Sequence, residues 1–403
     1  MDLICEKVDE IKKVLDDKLE KLDVHIGMYL PICPNILDVH MGNTLNKYRV
    51  ERIIGVGGFR SVYEVSNVLD RNLRYALKII KLKDNNRITS TLLDPYREIK
   101  VLQCLDQEGP RDAGLFFAMP LTLNEHFVQN DHLCIPYPLV GCNLLDCRKH
   151  DNFSYFPAAA MQAITLQTLR AVSYIHERGI THTDIKLDNI VFTDLGVWHC
   201  LNKFNNCFRD VYRKPQIKLI DLDLARYAYE DKKISISTLT YRAPEVIIQR
   251  RYEMVSDVWS LGYCLLRLWT GCDPFKETNE LDQIKRYAIV LGDVPPLMLP
   301  NYDRIIKSDK RVVAELTKNE ESIRHDEESG HLRKLVKYVG ADKSENYSMT
   351  VLLYRMLQWD PAVRITATNA LRELDQCETI ENMKPLFAYR APNQNETPSG
   401  VSL

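Results

Sequence analysis

His182-Thr183-Asp184-Ile185-Lys186-Leu187-Asp188-Asn189 is the stretch on which the reading of this chain turns. It holds an aspartate, a lysine two residues on and an asparagine five residues after the aspartate. A solvated loop would explain one or two such residues, but not the whole order. On its N-terminal side, residues 157–179 predict a long helix. Pro157 opens it, Met161, Ile164, Val172 and Ile175 share a buried face, and Gly179 ends it. On the other side, Ile190-Val191-Phe192 predicts a strand.

Further along, Asp221-Leu222-Asp223 ends the apolar strand Ile217-Lys218-Leu219-Ile220. An aspartate leaving such a strand is costly to bury unless it meets a metal or another cation. Thr238-Leu239-Thr240-Tyr241-Arg242-Ala243-Pro244-Glu245 and Ser256-Asp257-Val258-Trp259-Ser260-Leu261-Gly262 follow. Toward the N-terminus, segments 48–54, 61–66 and 74–81 read as short strands rich in Val, Ile and Tyr. Gly55-Val56-Gly57-Gly58-Phe59-Arg60 joins the first two. A dinucleotide fingerprint would need a helix next, whereas Ser61-Val62-Tyr63-Glu64-Val65 continues as strand. A glycine-rich hairpin over nucleotide phosphates fits better, because backbone N–H groups can then approach the oxygens. Lys78 lies on a later strand. Asp94 and Pro95 open a helix at 95–105 that carries Glu98, a partner for a buried Lys78. A β-rich unit followed by a helical one is an α+β, two-lobed plan.

The chain has 403 residues, with Lys+Arg 53 against Asp+Glu 55 and a net charge of −2. That balance gives no bulk electrostatic argument for nucleic acid as a direct partner. No run of about 18 apolar residues indicates a membrane span. The charged N-terminus leaves no room for a secretory apolar region, so the 11 cysteines read as reduced thiols and the protein as intracellular. Residues 1–23 predict a short helix packed on the main domain, with a coiled coil as the alternative, and residues 31–47 a surface linker.

Taken in order, these motifs resemble those of the protein kinases over residues 48–388. Trp359-Asp360-Pro361-Ala362-Val363-Arg364 looks like the family's late motif, whose Arg pairs with the Glu of A-P-E, here Glu245. The sequence is most similar to the CMGC group's LAMMER (CDC-like) branch, on His182-Thr183-Asp184, Ser237-Thr238-Leu239-Thr240-Tyr241-Arg242 and the insert 193–216. DYRK- and SRPK-type kinases are close alternatives. The resemblance implies a kinase domain at 48–388, with an N-lobe (48–140), a C-lobe (141–388), an N-terminal segment 1–47 and a flexible tail 389–403. It implies ATP and Mg2+ as cofactors and Ser/Thr, and also Tyr, hydroxyls of proteins as acceptors, Arg/Ser-rich proteins being candidates. A nuclear location, as against a cytoplasmic one, follows from the resemblance alone.

Residue by residue, it makes Asp184 the acceptor or orienter of the substrate hydroxyl and Lys186 the support of the γ-phosphate. Lys78, held by Glu98, meets the α- and β-phosphates, and Asn189 and Asp221 hold magnesium. Ile54, Gly55, Val56, Gly57, Gly58, Phe59, Val62, Ala76, Pro138 and Val140 would surround the nucleotide. Pro138 offers a carbonyl and Val140 an N–H, after Tyr137 at the gatekeeper position. Three positions depart from the pattern. Arg60 and Asp223 stand in place of glycines, Asp223 where the backbone of the pattern favours torsions that a Cβ resists, and Thr183 replaces arginine. The competing reading is a pseudokinase scaffold. His199, Cys200 and Cys207 lack the tight pairing of a zinc site, and the acidic cluster at 320–328 reads as a solvated face.

Overall fold

The computed structural model describes residues 39–56, 60–82, 94–108, 116–121, 124–149, 156, 158–194, 215–230, 237–249, 251–292, 295 and 347–376. The expected helix at 1–23, Gly57, Gly58, Phe59, most of the insert, the His199/Cys200/Cys207 group, the 320–328 cluster and the tail lie outside these residues.

The first lobe is one antiparallel sheet. Its strands are β1 (Thr44–Leu45), β2 (Tyr48–Val56), β3 (Arg60–Asn67), β4 (Arg74–Lys81), β5 (Phe127–Gln129) and β6 (His132–Pro138), in the order β1-β2-β3-β4-β6-β5. The period of two in the sequence becomes two apolar faces. Val50, Tyr63, Val65, Leu77, Ile79 and Cys134 pack on one side, and Ile80, Leu133 and Ile135 on the other with Ile99. The linker expected at 31–47 is corrected at its end. Thr44 and Leu45 pair with Arg49 and Tyr48, and the Gly42 N–H donates to the Val50 carbonyl at 2.8 Å. Leu45 is buried there, so this stretch caps the sheet.

Helix α1 (Arg97–Glu108) starts behind Asp94, whose carboxylate accepts the Tyr96 N–H at 3.0 Å. It belongs to both lobes. Ile99 packs on the sheet, while Val101, Leu102 and Leu105 enter the large core of the second lobe. That lobe is built on α2 (Leu144–Lys149), α3 (Ala158–His176), α4 (Pro244–Gln249), α5 (Met254–Thr270), α6 (Glu280–Leu291), α7 (Tyr347–Met356) and α8 (Ala367–Gln376). The sequence runs α3 on to 179; the helix ends at His176, and Gly179 (φ +67) closes the turn after it. Helix α5 is buried from Ser256 through Trp269. Its Gly262 allows α7 close: a Cβ there would lie 2.9 Å from Met356 Cβ.

Two short antiparallel pairs complete the lobe, β7 (Ile180–Thr181) with β10 (Arg226–Tyr227) and β8 (Ile190–Phe192) with β9 (Ile217–Leu219). Among the described residues no helix is long and apolar enough to cross a membrane.

Candidate active site

The register of the first sheet lines up the expected nucleotide residues. Gly55 is opposite Val62, Val62 opposite Lys78, and Ala76 opposite Tyr137. Residues directly opposite, or two apart along a strand, share a face. Gly55, Val62, Ala76 and Lys78 therefore line one surface. Ile54 and Val56 are exposed, Ala76 is buried and Pro138 is exposed at the end of β6. The segment after β6 must run against β8: the Gly141 N–H donates to the Phe192 carbonyl at 2.7 Å, and Phe192 N–H returns a bond to Cys142 at 3.0 Å. A Cβ on Gly141 would collide with the Asp194 carbonyl oxygen, so only glycine fits.

Pairing of β8 with β9 (Ile190 with Leu219) sets the second half of the site. Asn189 precedes one strand and Asp221 follows the other, so an antiparallel pair brings them side by side. The Ile220 N–H donates to the Asn189 carbonyl at 3.0 Å. Asn189 also donates its amide N–H to the Asp184 carbonyl at 2.9 Å, so that of its two amide atoms the oxygen is the one able to meet a cation.

Asp184 is buried and held from several directions. Lys186 Nζ lies 2.7 Å from its Oδ2, while the Thr238 N–H and hydroxyl donate to its Oδ1 at 3.1 and 3.0 Å. Burial works against the charge of Lys186, but Asp184 outweighs it and holds the ammonium above its ordinary range. Behind the loop, the buried Asp257 accepts the N–H groups of His182 and Thr183 at 2.7 and 2.8 Å and lies 3.0 Å from His176 Nε2.

Lys78 is the centre of the remaining cluster. Its Nζ lies 2.6 Å from Glu98, 3.0 Å from Asp221 and 2.8 Å from Asp223. Burial opposes its charge, yet the three carboxylates raise its pKa above the lysine range. Burial also pushes the Glu98 carboxyl up to about 7, against the pull of Lys78 and with the help of Asp223 and Asp221. Asp221 is driven the other way: its burial is overcome by Lys78 and Arg60, which hold it well below the usual carboxylate range. The Leu222 N–H donates to Glu98 at 3.2 Å, tying α1 to the metal motif.

Asp223 does not adopt the left-handed torsions that a glycine would favour at this position. Among the described residues the left-handed φ values include Asp221 (+72) and Thr183 (+70), and Asp223 is absent from them. After the left-handed Asp221 the chain turns at Asp223 and Leu224, where the Ala225 N–H donates to the Leu222 carbonyl at 3.1 Å.

Oxygen atoms of Glu98, Asp221 and Asp223 lie within 4.8 Å of one another. This all-oxygen donor set suits a hard cation such as magnesium. Sequence reasoning did not assign Thr238 or Asp257 a place here, and it put Arg60 near the phosphates without its carboxylate partners. The signal available was their position inside motifs already quoted, which says nothing of contact. Beside the loop, a cavity of about 380 Å³ includes Asp188, Tyr241 and Lys276 in its lining.

Set against known proteins, residues 48–374 match the protein kinase domain family. The chain is 28% identical over 336 residues to the serine/threonine-protein kinase Doa of Drosophila melanogaster, covering 82% of this chain and 39% of Doa. It is 26% identical over 334 residues to the dual specificity protein kinase CLK2 of Homo sapiens, 83% of this chain and 64% of that one. For the dual specificity protein kinase lkh1 of Schizosaccharomyces pombe the figures are 27%, 81% and 46%. The chain thus spans less than two thirds of each of these relatives. The crystal structure of a kinase domain superposes with a TM-score of 0.61 at 21% identity, over 83% of this chain and 97% of that one, which bears on the fold alone.

Proposed function

This chain belongs to the protein kinase domain family, and from that premise we propose that it transfers the γ-phosphate of ATP to Ser, Thr and Tyr hydroxyls of protein substrates. Family membership implies ATP and a divalent metal, and its relatives are LAMMER-type kinases named as serine/threonine or dual specificity enzymes. The observation that carries the proposal is the support of Asp184. A carboxylate fixed on one side by Lys186 and on the other by Thr238 is oriented before substrate arrives.

In this reading Asp184 accepts or orients the substrate hydroxyl proton, and Lys186 offsets the charge that grows on the transferred group. Lys78, anchored by Glu98, meets the α- and β-phosphates. Gly55, Val62 and Ala76 present a thin wall to the nucleotide, and Pro138 and Val140 offer a carbonyl and an N–H at its base edge. Magnesium, held by Asp221 and the Asn189 amide oxygen, would neutralise phosphate charge and fix the geometry of transfer. Arg/Ser-rich proteins are the proposed substrates. That proposal rests on the likeness to the LAMMER-type relatives alone.

The test is a peptide array of Arg/Ser, Pro-directed and acidic sequences, phosphorylated by the wild type and by Asp184→Asn. The variant should lose about 10²-fold or more, and Arg/Ser peptides should lead. Equal transfer by both proteins would sink the catalytic reading and leave a nucleotide-binding scaffold.

A further inference from the structure

Two of the three departures from the kinase pattern touch each other. Arg60 opens β3 where the resemblance puts the third glycine of the loop, and Asp223 stands where it puts the glycine two residues past the metal aspartate. Their side chains, 163 positions apart in the chain, form an ion pair. Arg60 also reaches Asp221 at 2.7 Å, and Lys78 reaches Asp221 at 3.0 Å and Asp223 at 2.8 Å. The four side chains close a ring in which each cation contacts both carboxylates. Arg60 is 26% exposed and the two aspartates 14%, so salt screens the ring less than a surface pair.

Charge shows why the two belong together. Lys78, Glu98 and Asp221 alone sum to −1. Adding only Asp223 makes the cluster −2, which repels nucleotide phosphates. Adding only Arg60 makes it neutral, and leaves two cations competing with a metal for the single carboxylate of Asp221. With both present the sum returns to −1.

We infer that Arg60 and Asp223 form a compensated pair: Arg60 is a phosphate-binding residue added to the site, and Asp223 is a positioning residue that takes one arm of the Arg60 fork, so that Asp221 is not left to hold the whole guanidinium in competition with the metal. The inference rests on the reading of this cleft as a site for metal-bound ATP. It makes opposite demands on the two single variants. Arg60→Gly leaves Asp223 facing the phosphates and lowers ATP affinity by about tenfold, a typical size for coupled neighbours. Asp223→Gly leaves Arg60 to Asp221 alone and raises the magnesium concentration needed for half-maximal ATP binding. The double variant removes both faults and should bind ATP within about threefold of wild type, better than Arg60→Gly alone.

Equilibrium binding of ATP at a series of magnesium chloride concentrations, by calorimetry on wild type, both single variants and the double, decides it without reference to turnover. Thermal unfolding of the four proteins without ligand checks that each is folded; where a glycine variant is not, Arg60→Gln and Asp223→Asn take its place in the cycle. A double variant whose ATP affinity is the product of the two single losses would overturn the pair. So would an Asp223→Gly protein with an unchanged magnesium requirement. Absence of ATP binding by the wild type would instead remove the nucleotide reading on which the pair depends.

Discussion

Thr183 holds a φ of +70, a left-handed conformation that a β-branched side chain adopts only under constraint. The constraint is visible: its N–H donates to Asp257 at 2.8 Å and its hydroxyl to the Leu224 carbonyl at 2.7 Å. That hydroxyl joins the catalytic loop to the chain just after Asp223. An arginine here would make the same connection through a phosphate on the following segment. The segment has other ties as well. Glu230 pairs with Arg97 of α1 at 2.7 Å, and Arg242 donates to Glu280 and to the Ser237 carbonyl, both at 2.8 Å. A phosphate on Thr238 would also sit against the carboxylate of Asp184. Activity should therefore survive phosphatase treatment that mass spectrometry shows has cleared Ser235, Ser237 and Thr238. A loss beyond about tenfold, above what one exposed charge supplies, would count against it. The sequence made Thr183 legible as a missing charge. It could not show what replaced the charge, because Leu224 and Asp257 come to it only through the fold.

Among the elements, α4 is fastened by the most thoroughly buried ion pair in the described part of the site. Arg364 grips Glu245 with two bonds of 2.7 and 2.8 Å, both side chains essentially out of solvent. Its remaining N–H groups donate to the carbonyls of Val255, Gln358 and Trp359, and its plane lies 5.2 Å over Trp259. Removing one partner strands a buried charge, so Arg364→Ala should cost about 3–5 kcal/mol of stability, measured by urea unfolding. A loss under about 1 kcal/mol would mean that water or a neighbour replaces the arginine. This pair was legible, because two motifs of the resembled family predict it. The strands were legible too, since alternation alone gives their faces. Their partners were another matter. The contact of Arg60 with Asp223 and the bending of the chain at Asp221 follow from packing two lobes together, and local pattern carries no record of either. The β1 pairing of Thr44 and Leu45 was missed for a simpler reason: two residues are too few to show a period.

For the whole molecule, the consequence lies in how the site is divided. Lys78, Glu98 and Arg60 come from the first lobe and its helix, while Asp184, Asn189 and Asp221 come from the second. Helix α1 is packed into both cores, and Glu98 accepts the Leu222 N–H. A ligand that engages both sets of side chains binds only the assembled protein, and so stabilises it by mass action. At 100 times its dissociation constant, ATP with magnesium should add about 2.7 kcal/mol, which for a chain of this size means a rise in melting temperature on the order of 5 °C. Chelating the metal should remove most of that rise, because Asp221 and the ATP phosphates then face each other as like charges. Two variants separate binding from chemistry. Asp221→Ala should lose the magnesium-dependent part of the shift, whereas Asp184→Asn should keep it while transfer fails, since the proposed mechanism gives Asp184 to the acceptor hydroxyl and not to the metal. Scanning fluorimetry of the three proteins with ATP, with and without chelator, reads all of this at once. An equal shift with and without magnesium in the wild type would show that ATP binding needs no metal at Asp221, and the reading of that carboxylate as a metal ligand would fall.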